Sequence, residues 1–274
     1  MDLHTVRRVR RPARPDEIGS WEPGWAWLAG GTWLFSEPQL HLHTLVDLAS
    51  LKWPALQASE EGLEIAATCT VAQVDQYVEE APSDWMAAPL FRHCARAFLA
   101  SFKIWNEATV GGNICMSLPA GPMISLCAAL KGMCTLWPRD SQARQVSVIE
   151  FVTGDHQNVL APGELMRSIF LPAHELRKKF AFRRFTLTHL GRSEVLEIGT
   201  FCPRDGEFVL TITAATVRPV QLVFEGIPAE EDLKRAIDDA VPFDLYLDDI
   251  HGSPAHRKHL TYYFARQIRS ELSV

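Results

Sequence analysis

Two glycine pairs, Gly30-Gly31 and Gly111-Gly112, stand 81 residues apart, each set between segments of regular pattern. The first follows the apolar run Trp25–Leu28, which reads as a strand. The second precedes a helix signalled by Pro122, a residue suited to a first helical turn. Adjacent glycines reach φ > 0 without strain and leave no side chain over the main chain, so consecutive N–H groups can converge on one concavity and hold an anion. Thr32, Thr109 and Asn113 add hydroxyl or amide groups at the rims. Two such loops facing each other would grip a pyrophosphate, making a dinucleotide site without a Rossmann turn. Two tight turns with no ligand satisfy the same pattern.

Period and punctuation place the flanking elements. Thr5–Arg10, Thr44–Leu48 and Leu63–Thr68 read as strands, Asp16–Trp21 as a short helix, and Thr70 as the cap of a helix over Val71–Tyr77. Met86, Leu90, His93 or Cys94, and Ala97 share one stripe of a helix expected over Asp84–Leu99. Met123, Leu126, Cys127 and Leu130 share the stripe of the Pro122 helix, which Gly132 ends. The second half turns to strands at Leu165–Leu171, Phe180–Leu187, Val195–Phe201 and Phe208–Val217. There Leu210, Ile212 and Ala214 alternate with Thr211 and Thr213, the pattern of an antiparallel meander with one wet face. Helices over Ala229–Ala240 and from Ser253-Pro254, the latter with a stripe of Leu260, Tyr263, Phe264 and Ile268, close the chain. The expected class is α+β, with one domain over residues 1–171, subdivided near residue 52, and a second over 172–274.

Composition removes several function classes. With a net charge of −6 the chain lacks the broad basic face that nucleic-acid binders need. Arg7, Arg8, Arg10, Arg11 and Arg14 form a local cluster, read as a decorated first strand or as a patch for phosphate or an acidic partner. The most apolar run, around Leu118–Leu130, is broken by Pro119, Gly121 and Pro122 and falls short of the roughly 20 residues of a membrane-spanning helix. The cysteines at 69, 94, 115, 127, 134 and 202 include no C-x-x-C pair and read as reduced thiols, which makes the cytoplasm the expected location. G-x-G-x-x-G, P-loop, H-E-x-x-H and G-x-S-x-G signatures are absent, and His251, His256 and His259 read as surface histidines. No catalytic residue and no metal ligand is assigned.

Longer matches sharpen the glycine pairs. Leu28-Ala29-Gly30-Gly31-Thr32, Thr44-Leu45-Val46-Asp47-Leu48 and Asn106-Glu107-Ala108-Thr109-Val110-Gly111-Gly112-Asn113-Ile114 occur in that order. Pro119-Ala120-Gly121, Leu160-Ala161-Pro162-Gly163-Glu164-Leu165 and Asp248-Asp249-Ile250-His251-Gly252-Ser253 follow. Together they resemble the flavin subunit of the molybdenum hydroxylases, the xanthine dehydrogenase and carbon monoxide dehydrogenase family. The resemblance spans almost the whole chain. It implies a two-subdomain FAD-binding fold of the vanillyl-alcohol oxidase type, followed by a C-terminal antiparallel sheet with helices. By the same resemblance Ala29, Gly30, Gly31, Thr32 and Trp33, with Thr109, Gly111, Gly112 and Asn113, wrap the FAD pyrophosphate. Asn113 through Cys115 and Met116 run beside the ribityl chain, and Leu165 or Met166 packs on the isoalloxazine. The subunit would take electrons from [2Fe-2S] centres in a small partner subunit, themselves fed by a molybdenum-cofactor large subunit, and pass them to an external acceptor. At 274 residues the chain leaves no room for those parts.

Some positions depart from the family pattern. Trp33 stands where Asp is usual after Gly-Gly-Thr, Pro122 where Asp is usual after Pro-Ala-Gly, Trp105 replaces Arg, and Arg183 or Arg184 stands where many relatives have Lys. Proline accepts no hydrogen bond, so one polar anchor worth roughly 0.5–1.5 kcal/mol is expected to be missing. Trp33 is expected in a core with Trp21, Trp25 and Trp27. No His or Cys lies in Leu28–Ser36, so the flavin would be non-covalent. A flavin-free assembly relative and a stand-alone flavin oxidoreductase are the two competing readings.

Overall fold

The computed structural model describes residues 3–138 and 142–274. Strands β1 (Arg8–Arg10), β2 (Trp25–Leu28) and β3 (Thr44–Asp47) form a parallel sheet in the order β1-β3-β2. Between β1 and β2 the expected helix is only a 3-10 turn, Pro15–Ile18. Gly19 stops it at φ 70°, a conformation that glycine adopts without strain.

The next sheet is antiparallel. Its strands are β4 (Leu56–Ala58), β5 (Gly62–Ala66), β6 (Met133–Trp137), β7 (Arg144–Ser147) and, after the hairpin β8 (Val152–Gly154) and β9 (Gln157–Asn158), β10 (Leu165–Pro172). They lie in the order β4-β5-β10-β6-β7. Helices Val71–Tyr77, Pro89–Ala97, Val110–Met116 and Pro122–Ala129 pack with it around the largest core, in which Leu63, Ile65, Leu90, Ile114 and Ile169 are fully buried. Thr70 caps the first of these helices through a reciprocal box, its hydroxyl accepting from the Gln73 amide and its own amide donating to Gln73 Oε1. The helix expected to begin at Asp84 begins instead at Pro89, which takes a first-turn position, so Met86 falls outside it and is exposed.

Strands β11 (Lys179–Phe185), β12 (Val195–Phe201), β13 (Glu207–Thr213) and β14 (Val220–Glu225) make the expected antiparallel meander, but the face expected to be wet is covered over β12 and β13 and is exposed only at the β14 edge, as at Val223. Thr211 and Thr213 are buried because helix Pro122–Ala129 lies over them. Their hydroxyls are satisfied there. Thr213 Oγ1 sits 2.7 Å from Ser125 Oγ, while Gln221 donates to both Thr211 Oγ1 and the Ala128 carbonyl. Helix Pro254–Leu272 covers the opposite face so closely that a Cβ at Gly199 would lie 2.2 Å from Ile268 Cγ2. Leu260, Phe264 and Ile268 form its buried stripe, whereas Tyr263 is 42% exposed and does not belong to it. The α+β class read from the pattern is the class observed.

Candidate functional site

Strand β2 delivers the chain to Ala29-Gly30 at the strand's C-terminal end. Gly31 takes φ 69°, the one left-handed residue of the two pairs, and the turn closes with the Phe35 amide donating to the Gly31 carbonyl. The amides of Gly30, Gly31, Thr32 and Trp33 donate to no acceptor among the described residues. A Cβ at Gly30 would fall 1.6 Å from the Glu107 carbonyl oxygen. The first loop therefore rests, backbone against backbone, on the residues that lead into the second.

The second pair is built differently from the expected turn. Gly111 and Gly112 lie in the first turn of helix Val110–Met116, neither at positive φ. Every amide in the run is already donated: Val110 to the Cys69 carbonyl, Gly111 to Ala67, Gly112 to Thr109 Oγ1 at 3.0 Å, and Asn113 to Thr109. Thr109 is thus a helix cap rather than a rim donor. Gly111 is required by close approach, because its Cβ would meet Ala67 Cβ at 2.5 Å. Asn113 turns its carbonyl oxygen to the Met123 amide and so caps the following helix. Pro122, which heads that helix, is buried, and its side chain offers no polar atom.

Cys115 and Met116 end the helix partly exposed, and the hairpin β8-β9 is tied down against them. Asn158 donates to the Cys115 carbonyl at 2.8 Å, and the His156 amide donates to Ser117. Alternation along β10 separates the two residues expected on the flavin ring. Leu165 faces Leu48 and Leu51 in a small cluster that Ala29 and Trp27 adjoin, while Met166 is sealed into the main core. Leu165 is therefore the one beside the first loop.

Trp33 is not in the tryptophan core. Trp21 packs on Trp25 and Trp27 with ring centroids 5.7 and 4.3 Å apart, whereas Trp33 is 36% exposed and touches the His156 ring at 5.6 Å. His156, at φ 55°, carried no signal in the sequence. Trp27 docks the first sheet onto the second by donating its indole N–H to the Glu164 carbonyl. The Glu164 side chain is buried and gripped by Arg144 through two 2.7 Å bonds, and these hold its carboxyl below the usual carboxylate range. Among the other departures, Trp105 donates to the Phe98 carbonyl, Arg183 pairs with Glu271, and Arg184 donates to Ser193 and Gly191.

All six cysteines are free, and burial pushes the Cys69 thiol up to about 12. His256 Nδ1 lies 2.6 Å from buried Glu194. Arg257 is itself buried and binds the Glu194 and Ala214 carbonyls and the Asp249 carboxylate, so the Asp248–Ser253 motif is held by packing.

A row of undonated amides with a left-handed glycine at its centre fits the anionic bridge of a dinucleotide. The family model for the FAD binding domain in molybdopterin dehydrogenase matches residues 16–174. The chain belongs to this family of FAD-binding domains. In fold it is similar to quinoline 2-oxidoreductase from Pseudomonas putida 86, at 19% identity over 99% of this chain and 98% of that one, with a TM-score of 0.82. It is similar too to carbon monoxide dehydrogenase from Hydrogenophaga pseudoflava, at 16% identity, 96% of both chains and 0.78. The enzyme from Oligotropha carboxidovorans gives 17% identity, 95% and 94% coverage, and 0.75. Among curated proteins no match was found. No helix among the described residues is long and apolar enough to cross a membrane.

Proposed function

We propose that the chain is the FAD-binding, electron-transferring subunit of a heteromeric molybdenum hydroxylase. The observation that carries this is the row of four free amides, Gly30 to Trp33, seated on Glu107 within a family of FAD-binding domains. In this reading those amides hold the pyrophosphate, and the capped helix from Thr109 acts as a rigid platform rather than a second set of donors. Ala29 and Leu165 give the flavin apolar contact, and Asn113, Cys115 and Met116 flank the ribityl chain. Bound FAD supplies two-electron and one-electron redox chemistry; the protein's part is to bind it, orient it and exclude water. Electrons would enter from [2Fe-2S] centres of a small partner subunit, originate at a molybdenum cofactor in a large one, and leave to an external acceptor. The resemblance in fold to quinoline oxidoreductase and carbon monoxide dehydrogenase chains supports such partners. The chain would act in the cytoplasm as part of that complex, with residues 1–171 as the flavin domain and 172–274 as the second.

Buried Pro122 favours a second reading, in which the chain binds flavin weakly and serves assembly. One experiment decides between them. The purified chain should show flavin absorption, or gain it on titration with FAD, and should co-purify with molybdenum and iron–sulphur chains. Co-purification without flavin uptake at any FAD concentration would leave only the assembly role.

A further inference from the structure

The first loop carries a large aromatic residue, Trp33, directly after its glycine pair and Thr32. We propose that Trp33 and His156 form a stacking subsite for a planar ring of the bound dinucleotide, an inference that rests on the flavin reading above. Trp33 stands at the end of the undonated amides of the first loop, and its one aromatic neighbour among the described residues is His156. The two rings come from different elements, the indole from the loop after β2 and the imidazole from the tip of the β8-β9 hairpin. The hairpin side is fixed. The His156 amide donates to Ser117, Asn158 donates to Cys115 and Ser117, and the His156 ring lies 2.8 Å from Asp155 Oδ1. His156 also holds a left-handed φ of 55°.

Both rings are open to solvent, Trp33 being 36% exposed and the His156 side chain 47%. The rings lie 5.6 Å apart and tilted by 54°. A planar ring sandwiched between two others needs about 7 Å between the outer planes, twice the van der Waals spacing. A small outward swing of Trp33 onto parallel planes opens that gap, and the ligand ring then covers the exposed indole face. Adenine and isoalloxazine are both planar and aromatic and flank the pyrophosphate on either side, so the subsite chemistry is the same for each.

The test titrates the full-length apo chain with FAD, FMN and ADP, following affinity and flavin fluorescence, for the wild type, Trp33→Ala, Trp33→Phe and His156→Ala. Trp33→Ala should weaken FAD binding about tenfold, the scale of one base–aromatic stack, and Trp33→Phe should recover most of it. His156→Ala should show a smaller loss in the same direction. A matching loss with ADP assigns the ring to adenine; a matching loss with FMN, together with weaker quenching of flavin fluorescence, assigns it to the flavin. Wild-type FAD binding with Trp33→Ala unchanged within about twofold overturns the subsite and leaves the flavin reading intact. A wild type that takes up no FAD overturns both.

Discussion

At Gly30-Gly31 the chain leaves a strand with four amides that donate to no acceptor among the described residues, whereas at Gly111-Gly112 it enters a helix with every amide spent. The pairs look interchangeable in sequence, and their glycines are needed for different reasons. Gly31 is needed for its left-handed φ and Gly30 for contact with the Glu107 carbonyl. Gly111 is needed because Ala67 leaves no space for a Cβ, and Gly112 for little beyond clearance of its cap. The difference teaches that a motif with two glycine pairs divides its labour: one pair presents donors, the other brings a helix close enough to support them.

Mutations can break or sharpen that contrast. The largest effect is expected from Gly111→Val, which forces a branched side chain into the Ala67 backbone and should cost about 3 kcal/mol, measured by urea unfolding. An unchanged unfolding midpoint would show that the second pair is an open loop after all. Gly30→Ala should cost somewhat less, about 2 kcal/mol, yet abolish flavin uptake, since it pries the first loop from its seat. Retained flavin would sink the donor role of that loop. Acid separates the two regions in another way. Glu164 is depressed by Arg144, so its contribution is present above the unfolded value of about 4.3 and is lost as pH falls below it. Arg144→Ala should cost about 2 kcal/mol at pH 7 and flatten that acid slope. Hydrogen exchange should show the first sheet loosening before helix Val110–Met116 as pH drops through 4, because among the described residues the helix is tied by Cys69, Ala67 and Thr109 rather than by a carboxylate. Thr109→Ala should lower stability by about 1 kcal/mol, the worth of one helix cap, seen as a shift in Tm. Gly112→Ala closes the series near zero, within about 0.5 kcal/mol, since helix propensity gained offsets a 2.9 Å contact with the cap hydroxyl.

Much of this was legible where one local rule governed. Thr70 with Gln73, and Ser253 with Pro254, announce their helices, and Trp25–Leu28 was readable to the residue. Local rules failed where distant chain decided the outcome. Thr211 and Thr213 read as solvent-facing because they are polar, but Ser125, 88 residues from Thr213, and Gln221 on the neighbouring strand satisfy them in the interior. Trp33 read as core by its neighbours' identity, whereas its partner is the unsuspected His156. Strands β6, β7 and β14 carry no clear alternation of apolar and polar residues for a local rule to read. In the site, the glycines and Thr109 stood out in the sequence, but whether each amide was free or spent depended on Cys69 and Ala67, which only the fold brings near.

Helix Pro122–Ala129 is buried on every side, with the five-stranded sheet's core against one flank and β12 and β13 against the other. Leu196, Ile198 and Ala214 belong to the same apolar cluster as Leu63 and Ile169, and the Ala214 amide donates across to the Pro119 carbonyl. Severing the chain after Leu171 would therefore lay bare two unmatched oily faces. The halves are unsuited to shuffling as independent cassettes, and heat should melt them together in one calorimetric event rather than in sequence.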